Sequence, residues 1–274
     1  MLLFQTSGGR IRGLLLLLAI GLLAAGADVG ATTPTSQSAI NAVATFPPGP
    51  EGAVLTRARQ LLDHTGTLLP HNVGAGLNCS SCHIAGGTKV PAFSFLGAYA
   101  KFPLYNTRAH RFIAVQDRIN ECFLFSMNGK ALAYTSSEMI ALTAYIAWLS
   151  RGAVVGKGFP DVVMPAIVHL PTANPANGAK LYAANCNACH GATGAGIPNV
   201  FPPLWGSKSF NTGAGLHRND TLASFIQANM PPNSAAHLNT QEAVDIAAFV
   251  LSHPRPPFRG NAPQVFQPEP ARFF

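Results

Sequence analysis

The sequence predicts a mainly α fold of two tandem units of one design with long glycine- and proline-rich loops, and three observations predict it. Apolar positions recur at helical spacing in four short segments. These segments fall into two halves that repeat one order: a helix, a short cysteine-histidine frame, a long loop and a closing helix. The 26 Gly and 22 Pro among 274 residues leave little room for long uninterrupted helices. With 48% hydrophobic and only 11% charged residues, most of the chain is not disordered, and its length allows two domains that each bury a core.

Taken in order, residues 1–27 read as a signal peptide. Arg10 and Arg12 precede the apolar run Leu14–Ala25, and the small residues Ala25 and Ala27 frame a cut before Asp28. The run is short for a membrane span, so the expected location is the periplasm, with membrane attachment only if the leader stays uncut. Residues 28–49 are expected to be a flexible segment. The first domain, 50–150, opens with an amphipathic helix over Glu51–His64 and closes with one over Ser136–Ser150, behind a capping box of Thr135 and Glu138. Residues 151–175 read as a linker. The second domain, 176–253, opens with a helix over Ala176–Ala184 and closes with one over Thr240–Ser252 behind Asn239 and Glu242. The proline-rich tail 254–274 is expected to run extended over the surface.

The net charge of +7 drops to +5 without the leader, and no long run of Lys or Arg offers a nucleic-acid footprint, so nucleic acid is excluded as a partner. The chemistry lies with the cysteines. Four of the five form two identical frames, Cys79-Ser80-Ser81-Cys82-His83 and Cys186-Asn187-Ala188-Cys189-His190. C-x-x-C-H is the attachment frame of c-type haem: two thiols reach the two vinyl groups of one porphyrin, and the adjacent imidazole reaches the iron. A redox pair needs no histidine, and a zinc site needs four clustered ligands. Two haem c groups are therefore expected, on Cys79, Cys82 and His83 and on Cys186, Cys189 and His190. Each half resembles a class I cytochrome c domain, in which loops wrap an apolar porphyrin.

The second axial ligand decides whether a haem only passes electrons or takes part in chemistry. In the second half, Met230 lies 40 residues after His190, just before the closing helix, where a thioether ligand is expected. The matching place in the first half holds Cys122, 39 residues after His83. Spacing leaves Cys122, Met127 and His110 as candidates there, beside an open site. Arg108 and Arg118, if they fold nearby, would favour a thiolate.

The segment Arg118-Ile119-Asn120-Glu121-Cys122-Phe123-Leu124-Phe125-Ser126-Met127-Asn128-Gly129, between the first frame and its closing helix, resembles the dihaem thiosulfate dehydrogenases, also called tetrathionate synthases. The likeness spans about residues 50 to 255. It implies oxidation of two thiosulfates to tetrathionate at a first haem held by His83 and Cys122, with Arg108, Arg118 and Ser126 in the matching active-site places. It implies a second haem, on His190 and Met230, that relays electrons to an external acceptor, another cytochrome c or a small redox protein. Some members place a lysine beside that methionine and switch ligand with redox state; Asn229 stands here, and no such switch is expected. Leu124 and Phe125 are more apolar than the family pattern. The competing classes are a dihaem electron carrier without catalysis and a sulfur-carrier subunit that needs a protein partner.

Overall fold

Pro50 starts the first long helix, since a proline at the first helical position forfeits no hydrogen bond and carries a helical φ. In the computed structural model, which describes residues 35–43, 45–232, 234 and 237–258, this helix runs Pro50–Asp63 with Glu51 in its electropositive first turn. It buries Leu55, Ala58, Leu61 and Leu62 against the closing helix Ser137–Trp148, which turns Met139, Leu142 and Tyr145 inward. The expected Thr135–Glu138 box does not form. Ser136 is the cap instead, its Oγ accepting from Met139 N at 3.2 Å, so the helix starts one residue later than expected.

The second half repeats the pairing. Asn174 caps helix Pro175–Asn185 by accepting from Asn177 N at 3.1 Å, and Asn239 with Glu242 forms the expected reciprocal box ahead of helix Thr240–Leu251. The two helices meet at Gly178, where a Cβ would stand 2.0 Å from the Asp245 carbonyl oxygen. Only glycine permits that approach.

Three elements occupy stretches read as loop. An antiparallel hairpin pairs Leu104–Asn106 with Arg111–Ile113, helix Val115–Glu121 follows it, and helix Asn219–Asn229 precedes Met230. Part of the segment expected to be flexible is also ordered: Ser36–Val43 is helical, with Ser36 N and Oγ donating to Asp161 at 3.0 and 2.7 Å and Ala39 in the first core. Residues 151–174 of the linker have no helix and work as a strap, and its last residue, Pro175, starts the next helix. Ala153, Phe159 and Val162 pack on the core of the first half, Ile167 and Ala173 on that of the second.

The cores touch through Leu216 and Leu251, which pack against both. From Pro254 to Phe258 the tail has no helix or strand, its Pro254 and Pro256 carbonyls accepting from Gly206 N (2.7 Å) and Thr212 N (3.0 Å). The leader 1–27 and residues 259–274 lie outside the described residues. Among the described residues no helix is long and apolar enough to cross a membrane.

Candidate active site

The second Cys-x-x-Cys-His frame begins directly where helix Pro175–Asn185 ends, and the first forms a short helical turn at Cys79–Ser81 after an irregular stretch. Asn78 anchors the first: its Oδ1 accepts from Gly66 N at 3.0 Å, and Ser81 Oγ accepts from Asn78 N at 3.1 Å. His83 Nδ1 is bonded to the Phe93 carbonyl at 2.6 Å, and the ring stacks on Phe95 with centroids 4.1 Å apart. His190 Nδ1 is bonded in the same way to the Pro202 carbonyl at 3.0 Å. A histidine whose Nδ1 is held by a carbonyl presents Nε2 to a metal in a fixed tautomer. Burial pulls the His83 imidazole down to about 4, with a smaller contribution from Arg118, and burial also lowers His190, so both stay neutral near pH 7. The thiols are pushed the other way by burial, Cys79 and Cys82 to about 12 and Cys186 to about 11. Thiols shifted upward in this way suit thioether formation, not a thiolate cage, and among the described residues no three His, Cys, Asp or Glu converge on a metal position.

The second frame shows how a porphyrin fits. Cys186, Cys189, His190 and Met230 line one cleft, walled mostly by apolar side chains such as Leu204, Leu222, Phe225 and Ile226. Beside it lie two buried polar atoms without a hydrogen-bond partner among the described residues, Arg255 Nε and His217 Nδ1. Arg255 Nη2 donates to the Val250 carbonyl at 2.8 Å and its guanidinium lies 4.3 Å over the Phe210 ring, both residues of the cleft wall. Burial with no carboxylate in reach pulls that guanidinium down to about 10. The anionic propionates of a haem are the groups such donors would hold. Ser81 and Cys82 of the first frame line the same cleft, so the two attachment sites adjoin.

The distal side of the first site is built differently. Asp117 ties the hairpin to helix Val115–Glu121, accepting from Ala114 N at 2.8 Å, from Arg111 Nη2 at 3.0 Å and from the Tyr134 hydroxyl. The helix then widens into a π turn over Cys122–Ser126, closed by Met127 N donating to the Cys122 carbonyl at 2.9 Å. Such an inserted residue swings its side chain out of the helical register and is frequent at functional sites.

Of the predicted residues, Arg118 stands beside Cys122. Arg118 Nη1 lies 3.8 Å from Cys122 Sγ and 3.0 Å from Glu121 Oε2. Cys122 first, and Glu121 second, hold the Arg118 guanidinium above its usual pKa against the effect of burial. Glu121, buried itself, accepts from Asn106 Nδ2 at 2.8 Å, and Asn106 Oδ1 accepts from the backbone N of Arg108 at 2.8 Å. Arg108 is thereby tied to the same network; its guanidinium lies 4.4 Å over the Phe125 ring and donates to the Gly213 carbonyl at 3.0 Å. Ser126 ends the π turn, half-buried.

The other two candidates are placed elsewhere: Met127 is a core residue at 3% exposure, and His110 is exposed at the hairpin turn with φ +52°. Sequence reading missed Glu121 and Asn106. The Arg118–Glu121 spacing of three on a helix is a usable signal for the first of these. Nothing local points to Asn106.

Comparisons with known proteins show which families the chain resembles. The family described as SoxA/TsdA, cytochrome c domain, matches residues 71–155, and that of the cbb3-type cytochrome c oxidase subunit III matches residues 173–250. Thiosulfate dehydrogenase of Allochromatium vinosum is 40% identical over 252 residues, covering 89% of this chain and 92% of that protein. Thiosulfate dehydrogenase of Psychrobacter arcticus is 40% identical over 85% of this chain and 72% of its own length. Among solved structures, the thiosulfate dehydrogenase (TsdBA) of Marichromatium purpuratum in its as-isolated form superposes with a TM-score of 0.72 at 35% identity. That likeness covers 78% of this chain and 48% of the other, so the chain spans about half of that protein's length.

Proposed function

Because the chain belongs to the thiosulfate dehydrogenase family, with two cytochrome c domains and two covalently bound haem c groups, we propose that it joins two thiosulfates into tetrathionate at its first half. The observation that carries this reading is the Arg118 guanidinium 3.8 Å from Cys122 Sγ, on the turn that follows the first frame at ligand spacing. His83 and Cys122 would hold one iron, and His190 and Met230 the other. Bound haem supplies a one-electron carrier at each frame, so the pair accepts the two electrons released per tetrathionate.

The protein's own groups meet the remaining demands. Two thiosulfate dianions repel, and Arg118 and Arg108 present planar guanidinium forks suited to their oxygens. Ser126 adds a hydroxyl donor. Holding both anions in one cationic pocket replaces a collision of like charges by a local reaction. The Cys122 sulfur is the place for covalent chemistry. Joined to the sulfane sulfur of one thiosulfate, with loss of two electrons, it becomes Cys–S–S–SO3−. Attack by the second thiosulfate on that sulfane sulfur forms tetrathionate and returns the thiolate. Electrons leave from the second half, whose cleft shares Cys82 with the first frame, to an external cytochrome c or small redox protein. The leader-like residues 1–27 support a periplasmic location for this activity.

The test is steady-state turnover of purified two-haem protein with thiosulfate and ferricyanide, beside Cys122→Gly. Wild type is expected to turn over without a protein partner, and the variant to keep both haems and lose roughly 10³-fold or more in rate. An inactive wild type indicates an electron carrier or a partner-dependent sulfur carrier. A fully active variant removes Cys122 from the chemistry.

A further inference from the structure

Residues 208–214 belong to the second half by sequence and to the first by packing. Phe210 and Ala214 are buried in the core of the first half, and the Lys208 carbonyl accepts from Gly76 N at 2.7 Å. Between them sits Asn211, 1% exposed. Its Nδ2 donates to the Leu124 carbonyl at 2.9 Å, within the π turn that carries Cys122. In that turn the Cys122 and Phe123 carbonyls accept from Met127 N and Gly129 N, and the Leu124 carbonyl takes its donor from across the domain boundary. The end of a helix leaves such carbonyls without an internal partner, and whatever supplies one fixes the turn.

The other end of the same amide acts on the arginine. Asn211 Oδ1 accepts from Gly213 N at 2.9 Å, which folds the loop so that the Gly213 carbonyl accepts from Arg108 Nη1 at 3.0 Å. Gly213 is packed tightly there: a Cβ would stand 2.8 Å from Phe258 Cγ, and Phe258 in turn packs on Phe125, with centroids 4.6 Å apart, beneath Arg108. Phe210, the neighbour of Asn211, lines the cleft of the second frame.

We propose that Asn211 is a positioning residue for the active site, holding the Cys122 turn with its amide nitrogen and the Arg108 carbonyl partner with its amide oxygen. The electron-transfer half thereby sets the geometry in which the catalytic half meets thiosulfate. This rests on the reading that Cys122 and Arg108 form the substrate site.

Two variants separate the two ends of the amide. Asn211→Asp keeps an oxygen for Gly213 N and replaces the donor to Leu124; Asn211→Ala removes both. In purified two-haem protein, Asn211→Asp is expected to change the electron paramagnetic resonance signature of the first haem and to lower kcat. Asn211→Ala is expected to do so too and to raise the thiosulfate KM about tenfold. The potential of the second haem should stay at its wild-type value in both. If neither variant assembles with two haems, Gly213→Ala displaces the same carbonyl by crowding Phe258 and should raise KM alone.

An unchanged first-haem signature with KM within twofold of wild type, in whichever variants assemble, overturns the proposal. So does a shift confined to the second haem. An Arg108→Ala background makes the assignment sharper, because the KM effect of Asn211→Ala should vanish there if it acts through Arg108. Full activity of Cys122→Gly, by contrast, would sink the functional reading itself, whatever Asn211 does.

Discussion

The two halves share a scaffold and differ in the segment that precedes the closing helix. Each has a helix pair, a Cys-x-x-Cys-His turn and a histidine whose Nδ1 is held by a loop carbonyl, Phe93 in one and Pro202 in the other. Opposite the histidine they part. Met230 follows the end of a regular helix, before Pro231 and Pro232, in a cleft with apolar walls. Cys122 sits on a π turn with Arg118, Glu121 and Asn106 in a hydrogen-bonded row behind it. The attachment frame is therefore common to both, and on the function proposed above the difference in task comes from what the distal ligand is and which charges stand beside it.

The largest way to break that contrast is to give the first half the ligand type of the second. Cys122→Met is expected to leave both haems attached, to raise the potential of the first haem and to abolish turnover, with a loss on the order of 10³-fold. Redox titration beside the thiosulfate assay checks it. A Met variant that still turns over thiosulfate at the wild-type rate would mean that the charges alone, without a thiolate, account for the difference between the halves.

Removing the charge and keeping the sulfur has the next largest effect. Arg118→Ala deletes a guanidinium that the bound oxyanions would meet, and the loss of a charged hydrogen bond, about 1.5–3 kcal/mol, corresponds to roughly 10- to 150-fold in kcat/KM. It also leaves the carboxylate of Glu121, whose side chain is 5% exposed, with Asn106 as its remaining neutral donor. The double variant Arg118→Ala, Glu121→Gln removes that complication: it should restore thermal stability and leave the kinetic loss in place. A kinetic recovery in the double variant would make Arg118 a structural counter-ion of Glu121 and nothing more.

The same contrast explains what could be read from the sequence. The four paired helices, both frames and the place of Met230 were legible because each depends on residues close in the chain: periodic apolar positions, a proline at a helix start, an Asn239–Glu242 box. The Thr135–Glu138 box was misplaced by one residue because Thr135 and Ser136 are both competent caps, and the local sequence does not rank them. The π turn was illegible for a different reason. Its extra residue breaks the 3.6-residue period on which helix reading rests, so Val115–Ser126 was read as loop. Cys122 was singled out by spacing and by family likeness, while the row that orients its neighbours runs from Glu121 to Asn106 and on to Arg108. The buttress from Asn211 spans 87 positions. Contacts of that range are set by packing of the two halves, and no local pattern announces them.

Charge in the second half has a smaller, structural part, and this is where the weakest effect is expected. Asp220 sits in the first turn of helix Asn219–Asn229, the helix that delivers Met230, and its carboxylate is held down to about 2, chiefly by the hydrogen bond from Arg218. A carboxylate whose folded pKa lies below its unfolded value of about 3.9 stabilises the fold above that unfolded value and loses this contribution as pH falls through about 2. The gain is modest because Arg218 is exposed and the pair is screened. Asp220→Asn is expected to lower the Tm at pH 7 by no more than about 3 °C, with the difference from wild type closing as pH falls from 4 toward 2. The potential of the second haem should not move, since the charge acts at the start of the helix and the ligand at its end. A shifted potential with an unshifted Tm would reverse that assignment and make the second half, like the first, a site tuned by its charges.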